Sequence, residues 1–278
     1  MTSTLPSAEA SGRLWLIGGT QESAQLAAAI AHETLPCTIS VTTESARSLY
    51  PTAPALRVWV GRLTTAQLEE FLVEQQIVAV LDASHPYAVE ISKSAQAAAQ
   101  SRQIPYLRYE RLAVDTQMNA SEVIALDNFD TLLAGDYLQR QRVLLTVGYK
   151  PLQLFQRWHE RSTLFARILP SAIALEAAFI AGFTPDRLIC LRPPIGADLE
   201  TALWRHWKIS LVVTKASGTA GGEDIKRNIA AELGGPLVVI SRPSVAYPQQ
   251  TSDLSVALGF CRQQVSRRVA VPTNSRKL

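Results

Sequence analysis

Ten short apolar runs, in two sets of five, constrain this chain more than any other feature. The first set is Arg13–Ile17, Cys37–Thr43, Leu56–Val60, Ile77–Leu81 and Ile104–Tyr109; the second is Val143–Val147, Leu164–Leu169, Leu188–Leu191, Ile209–Thr214 and Leu237–Ser241. Helical segments separate them, and runs this apolar read as parallel strands buried on both faces. The two sets also correspond in detail. Gly18 matches Gly148 at an offset of 130 residues, and Asp82–His85 lines up with Thr214–Gly218. Pro105 precedes Arg111 by six residues, as Pro236 precedes Arg242. The expected fold is α/β: two Rossmann-like domains with parallel sheets, pseudo-duplicated, with a ligand cleft between them at the carboxyl ends of the strands. The alternative is one long irregular sheet.

A chain of 278 residues is near the size at which one core gives way to two. The expected division is a cofactor-binding domain over 12–112, a polar crossover over 113–141 and a second domain over 142–266. The crossover carries Asp115, Asn119, Asp127, Asn128, Asp130 and Asp136. Residues 1–11, rich in Ser, Thr and Ala, and 267–278 read as flexible tails, the first without the apolar core of a signal peptide. From Arg267 onward there are four basic and no acidic residues, so the net charge of +3 leaves −1 for the rest of the chain. Nucleic-acid binding therefore loses its compositional support. No apolar run reaches membrane-spanning length, since Glu176 breaks Ala172–Phe183. Cys37, Cys190 and Cys261 read as reduced thiols of a cytoplasmic protein. The four histidines do not cluster with cysteines or carboxylates at ligand spacing, so no metal site is expected.

The chemistry belongs on the loops that follow the strands. Leu14-Trp15-Leu16-Ile17 runs into Gly18-Gly19-Thr20 and then a helix over Glu22–Ala31. Such a turn brings backbone N–H groups and the positive end of a helix up to a phosphate, though a plain strand–helix turn has the same sequence. After the second run come Thr42, Thr43 and Arg47, which suit the 2′-phosphate of NADPH, with NADH possible because Glu44 intervenes. Arg47 is otherwise a solvated helix residue. After the fourth run, Ser84 and His85 sit on a turn into the next helix, with Pro86 in its first turn. His85 either donates a proton or orients a ring. The matching loop of the second half, Lys215 to Gly222 with Ser217 and Gly218, suits an anion but lacks the Walker A order. Arg111 and Arg242 follow the fifth run of each half and either bind carboxylates or tie the two halves together through acidic partners.

Ile17-Gly18-Gly19-Thr20-Gln21-Glu22, Leu81-Asp82-Ala83-Ser84-His85-Pro86-Tyr87-Ala88, Arg108-Tyr109-Glu110-Arg111, Val213-Thr214-Lys215-Ala216-Ser217-Gly218 and Ser241-Arg242-Pro243 occur in that order. Over about residues 13 to 262 the chain resembles the precorrin-6A reductase family of cobalamin biosynthesis. The family's Asp-Ala-Thr-His-Pro-Phe-Ala block stands here with Ser84 and Tyr87. Gln21 replaces a family glycine, and Ala216 replaces the asparagine of Lys-Asn-Ser-Gly. The resemblance implies reduction of a carbon–carbon double bond in a corrin-precursor macrocycle, precorrin-6A or its cobalt complex, by NAD(P)H. The partner it implies is an anionic tetrapyrrole, with other cobalamin-pathway enzymes as further candidates. Gly18, Gly19, Thr20, Thr42, Thr43, Arg47 and Ser84 would hold the cofactor, and the completing proton would come from solvent or from an enzymic acid, for which His85 is the candidate. Arg108, Arg111, Lys215, Ser217, Gly218 and Arg242 would hold the carboxylates of the macrocycle.

Two other functions use the same fold: a non-catalytic nucleotide sensor, and a reductase of a smaller carbonyl compound. The second lacks the Tyr-x-x-x-Lys pair of short-chain dehydrogenases, because Glu110 lies four residues after Tyr106 and Lys150 directly follows Tyr149.

Overall fold

The computed structural model describes residues 12–111 and 123–269. These form two compact units, the first from residues 12–111 and 244–269 and the second from residues 123–243. The first unit begins with β1 (Arg13–Ile17), α1 (Gln21–His32), β2 (Cys37–Val41), α2 (Glu44–Arg47), β3 (Leu56–Val60), α3 (Thr65–Glu74), β4 (Ile77–Asp82), α4 (Val89–Ser101) and β5 (Tyr106–Tyr109). The second holds β6 (Val123–Leu126), α5 (Phe129–Ala134), β7 (Arg142–Thr146), β8 (Thr163–Ile168), α6 (Ala172–Ile180), β9 (Leu188–Cys190), α7 (Ala197–His206), β10 (Leu211–Lys215), α8 (Glu223–Leu233) and β11 (Leu237–Ile240). The chain then returns to the first unit with β12 (Gln250–Thr251) and α9 (Leu254–Val269).

Each unit is built on a six-stranded parallel sheet, in the orders β12-β5-β4-β1-β2-β3 and β6-β11-β10-β7-β8-β9. Successive side chains of a strand face opposite ways, so both faces of these apolar strands must be covered. In the first unit Leu14 and Leu16 pack with Leu26 and Ile30 of α1, while Trp15 and Ile17 pack with Leu68, Phe71 and Leu72 of α3. The second unit repeats the pattern: Val143 and Leu145 face one layer and Leu144 the other. These are two Rossmann-like α/β units.

The ten apolar runs correspond to ten of the strands; β6, itself apolar over Val123–Leu126, lies inside the segment read as a polar crossover, and β12 carries no apolar run. Both are edge strands of their sheets: β6 is mostly half-buried, and β12 is two polar residues long. β5 is followed by β6, which pairs with β11; β11 is followed by β12, which pairs with β5. Each fifth strand thus hands the chain to the strand that borders the other fifth strand.

This exchange shifts the expected boundaries. Part of the expected crossover over 113–141 is β6 and α5 of the second unit. Residues 244–266, expected in the second domain, belong with the first, where Ala257, Cys261 and Val265 of α9 join the core around Leu14 and Ile39. Their spacing of four puts them on one helical face. Asp115, Asn119 and the terminal segments 1–11 and 270–278 lie outside the described residues. Among the described residues no helix is long and apolar enough to cross a membrane.

Candidate functional site

In the first sheet the strand order reverses between β1 and β4, and open α/β sheets bind ligands at such a switch point, beyond the carboxyl ends of the strands. The loop after β1 and the loop after β4 meet there. The Thr20 hydroxyl donates to the Ala83 carbonyl at 2.9 Å, and Ala83 N–H donates to the Ile17 carbonyl at 3.1 Å. Gly18 N–H donates to the Ser40 carbonyl at 2.9 Å, and a Cβ at Gly18 would run into the Tyr50 hydroxyl. Gly19 has φ +101°, and a Cβ there would meet nothing within 4 Å. The turn therefore leaves open room at the N-terminal end of α1, which fits a diphosphate.

The turn is rigid. Gly19 N–H donates to Tyr50 Oη at 2.7 Å, and Tyr50 Oη lies 2.8 Å from Ser23 Oγ. Thr20 and Ser23 cap α1 reciprocally, each backbone N–H donating to the other's hydroxyl at 3.0 Å. Burial pushes the Tyr50 phenol above its ordinary pKa. Glu22, in the first turn of α1, pairs with Arg111. Burial works against its charged form, but hydrogen bonds from Arg111 and its own backbone outweigh that and hold its carboxyl below the usual range.

Asp82, at the end of β4, is completely buried and anchors the next loop from below. Its carboxylate accepts the Ser84 N–H at 2.9 Å, the Ser92 hydroxyl at 2.6 Å, the Tyr106 hydroxyl, and Arg108 Nη1 at 2.9 Å. Burial and the Asp82 charge push the Tyr106 phenol far up, so it stays a donor. Arg108 also pairs with Glu110 at 3.0 Å, donates to Ser84 Oγ at 3.1 Å and lies over the Tyr247 ring.

Expected as a substrate ligand, Arg108 is 0% exposed in the structure. Its side chain turns under the β4 loop, where Asp82 offers a charge partner. Ser84, expected at the cofactor, is buried with it. His85 stands exposed, and its Nδ1 accepts the Tyr87 N–H at 3.2 Å, so the neutral ring carries its proton on Nε2. The turn closes with Ala88 N–H on the His85 carbonyl at 2.7 Å, and α4 starts at Val89, leaving Pro86 ahead of the helix. After β2, Thr42 and Thr43 are exposed, and Arg47 forms an exposed pair with Glu44 at 2.6 Å. Exposed pairs of this kind are worth about 0–1 kcal/mol, so the guanidinium exchanges partners cheaply.

The second sheet reverses between β7 and β10. Gly148 has φ +78°, again with nothing within 4 Å of a Cβ. Lys215 ends β10, and burial followed by the charge of Lys150 pushes its ammonium down to about 8. Gly218 has φ +71°, and Arg242 Nε donates to the Ala216 carbonyl at 2.8 Å, tying the segment after β11 to this loop. One sheet end therefore gathers Lys150, Lys215, Ser217, Gly218 and Arg242, a constellation suited to carboxylates. Lys150 and Tyr50 were missed as site residues. The match of Gly148 to Gly18 pointed to Lys150, but no signal in the sequence marked Tyr50. Among the described residues no group of three His, Cys, Asp or Glu could hold a metal ion.

The sequence model of the family described as Precorrin-6x reductase CbiJ/CobK matches residues 13–262. The cobalt-precorrin-6A reductase of Synechocystis sp. is 43% identical over 252 residues, covering 91% of this chain and 97% of that protein. The enzyme of the same name from Priestia megaterium is 32% identical over 241 residues, covering 84% and 91%. A solved structure of CobK precorrin-6A reductase superposes with a TM-score of 0.75 at 25% identity, covering 91% of this chain and 97% of that one. With both sheets, the paired switch points and nearly the whole described chain accounted for, this protein belongs to the precorrin-6x reductase CbiJ/CobK family, oxidoreductases that reduce a carbon–carbon double bond of precorrin-6A in cobalamin biosynthesis.

Proposed function

We propose that this chain is a cytoplasmic enzyme that uses NADPH to reduce precorrin-6A or its cobalt complex. The observation that carries the reading is the 43% identity, over 91% of the chain, to a cobalt-precorrin-6A reductase. The two switch points supply the chemistry such a reaction needs. Gly18, Gly19, Thr20 and the N-terminus of α1 would take the diphosphate, in the open room at Gly19. Thr42, Thr43 and Arg47 would take the 2′-phosphate, with Arg47 released from its weak pair with Glu44. The cofactor supplies a hydride when bound.

Lys215, Ser217, Gly218 and Arg242, joined by Lys150, would bind the acetate and propionate groups that fringe the macrocycle. Arg111 neutralises Glu22 beside the first switch point and so makes an anion tolerable there. Arg108 and Ser84 act through Asp82, fixing the loop that presents His85. His85, exposed at the head of that turn, would orient the reacting ring or deliver the proton as an imidazolium, a form in which Nδ1 gives up the Tyr87 N–H. Much of the rate would come from holding the reacting carbons in place.

The test is anaerobic oxidation of NADPH and of NADH by the purified protein, supplied in turn with precorrin-6A and with its cobalt complex. Turnover with either tetrapyrrole, faster with NADPH, is expected, and the preferred substrate fixes the metal state. Tight cofactor binding without oxidation would overturn the reading in favour of a nucleotide sensor.

A further inference from the structure

The buried face of α8 is charged over its N-terminal half and apolar, with Ile229 and Ala230, over the rest. Glu223 and Lys226 are each 2% exposed and Arg227 is 5% exposed, on a face where apolar residues would be expected. Their hydrogen bonds converge on the loop that precedes the helix. Glu223 Oε2 accepts the Gly218 N–H at 2.9 Å, while Oε1 accepts Arg227 Nε at 3.0 Å and Nη2 at 2.7 Å. Lys226 Nζ donates to the Gly221 carbonyl at 2.8 Å and the Gly222 carbonyl at 3.0 Å. Gly218 and Gly222, at φ +71° and +67°, are the two bends of that loop. A segment that rests on left-handed glycines is soft unless its surroundings over-determine it. Here two buried side chains grip it at both bends.

We propose that Glu223 and Lys226 are positioning residues that hold the Lys215–Gly222 loop in the shape that receives an anionic macrocycle, an inference that rests on the substrate reading above. Burying these charges is expensive. Desolvation pushes the Lys226 ammonium down to about 8 even with Glu200, Glu223 and Asp224 nearby. Well-packed apolar residues at such positions serve stability at least as well as ions do. What apolar residues cannot do is fix one carbonyl and N–H arrangement in the loop. Ser217 belongs to the same arrangement, because a Cβ at Gly221 would collide with it.

The experiment compares wild type with Glu223→Ala, Glu223→Gln and Lys226→Met, using steady-state kinetics with NADPH and the preferred tetrapyrrole together with backbone hydrogen exchange over residues 215–222. Glu223→Gln keeps an oxygen for the Gly218 N–H and serves as the conservative rescue. Glu223→Ala and Lys226→Met are expected to raise the KM for tetrapyrrole by about tenfold, with the KM for NADPH changed by less than about twofold and exchange accelerated in the loop. Glu223→Gln is expected to recover most of that loss. A tetrapyrrole KM within about twofold of wild type in folded Glu223→Ala and Lys226→Met, or a parallel rise in the KM for NADPH, overturns the inference. Should Glu223→Ala not fold, Lys226→Met decides it by the same readings. A wild type that turns over neither tetrapyrrole counts against the proposed function instead. Loop exchange then decides the inference: acceleration in the variants supports it, and unchanged exchange overturns it.

Discussion

Replacing Arg108 with leucine separates two roles that its sequence position leaves equally open. As a substrate ligand the guanidinium would be dispensable to folding and vital to turnover. Buried against Asp82 at 2.9 Å and Glu110 at 3.0 Å, it is instead part of the core's charge balance. Removing one partner of a buried pair costs about 3–5 kcal/mol, because the remaining charge has lost its compensation. Asp82 keeps the Ser84 N–H and the Ser92 and Tyr106 hydroxyls, so the lower end, about 3 kcal/mol, is expected. That corresponds to a fall in Tm of about 6–12 °C for a unit of this size. Thermal unfolding followed by circular dichroism, with a urea titration for the free energy, measures it. Adding Asp82→Asn should recover part of the loss, since the orphaned charge goes with it. A loss below about 1 kcal/mol accompanied by a collapse of reductase turnover would refute the argument and return Arg108 to the substrate.

Gly18→Ala should cost about 1–3 kcal/mol by overpacking against the Tyr50 hydroxyl, and because Tyr50→Phe removes that hydroxyl the double variant should lose less than the sum of the two single changes. Losses that simply add would show that the crowding lies elsewhere. The KM for tetrapyrrole should rise as pH passes about 8, where Lys215 loses its proton, and Lys215→Met should flatten that limb of the profile. Folding stability should respond in the opposite sense. An unfolded lysine holds its proton to about 10.4, so between pH 8 and that value the unfolded chain binds more protons and stability climbs with pH. Lys226→Met should make that climb shallower. Cys37 and Cys261, whose thiols burial pushes up to about 12, should resist a thiol reagent in the native protein while exposed Cys190 reacts. Rapid labelling of all three would contradict the core around α9.

Most strands legible in the sequence are those buried on both faces, because burial leaves an apolar run wherever it is imposed; the partly buried edge strands β3 and β9 are apolar enough to be read as well. β6, a four-residue apolar run inside a polar stretch, and β12, which is polar, were not read as strands, and they decide which segments belong to which unit. An edge strand such as β12 is held by backbone pairing with β5, and backbone pairing leaves no mark on side-chain composition. The site shows the same divide. Gly18, Gly19 and Thr20 could be found because a tight turn and a helix cap restrict residue type, and Lys215 because it follows the strand that matches β4. Arg108 and Arg111 could not be told apart from ligands, because an arginine near a strand end has the same sequence signature whether it meets solvent or a carboxylate. Only the placement of Asp82, Glu110 and Glu22 decides between them.

The duplication also explains how one architecture comes to present two different loop chemistries. Both switch points keep an open glycine after their first strand, Gly19 and Gly148, each in the positive-φ region. From that common start they diverge in what secures the backbone. In the first unit neutral hydroxyls do it, Tyr50, Ser23 and Thr20, and the nearby Glu22 is balanced by Arg111. In the second, ions do it: Glu223, Arg227 and Lys226 secure the Lys215–Gly222 loop, at whose start half-buried Lys215 feels the charge of Lys150. A neutral frame leaves the helix dipole as the main attraction for an anion, which suits a diphosphate in the open room at Gly19. An ionic frame with lysines in front supplies full charges, which suit the scattered carboxylates of a macrocycle better than a single dipole does. Exchanging the two frames should therefore change ligand class before it changes fold, because the parallel strands beneath them carry the stability.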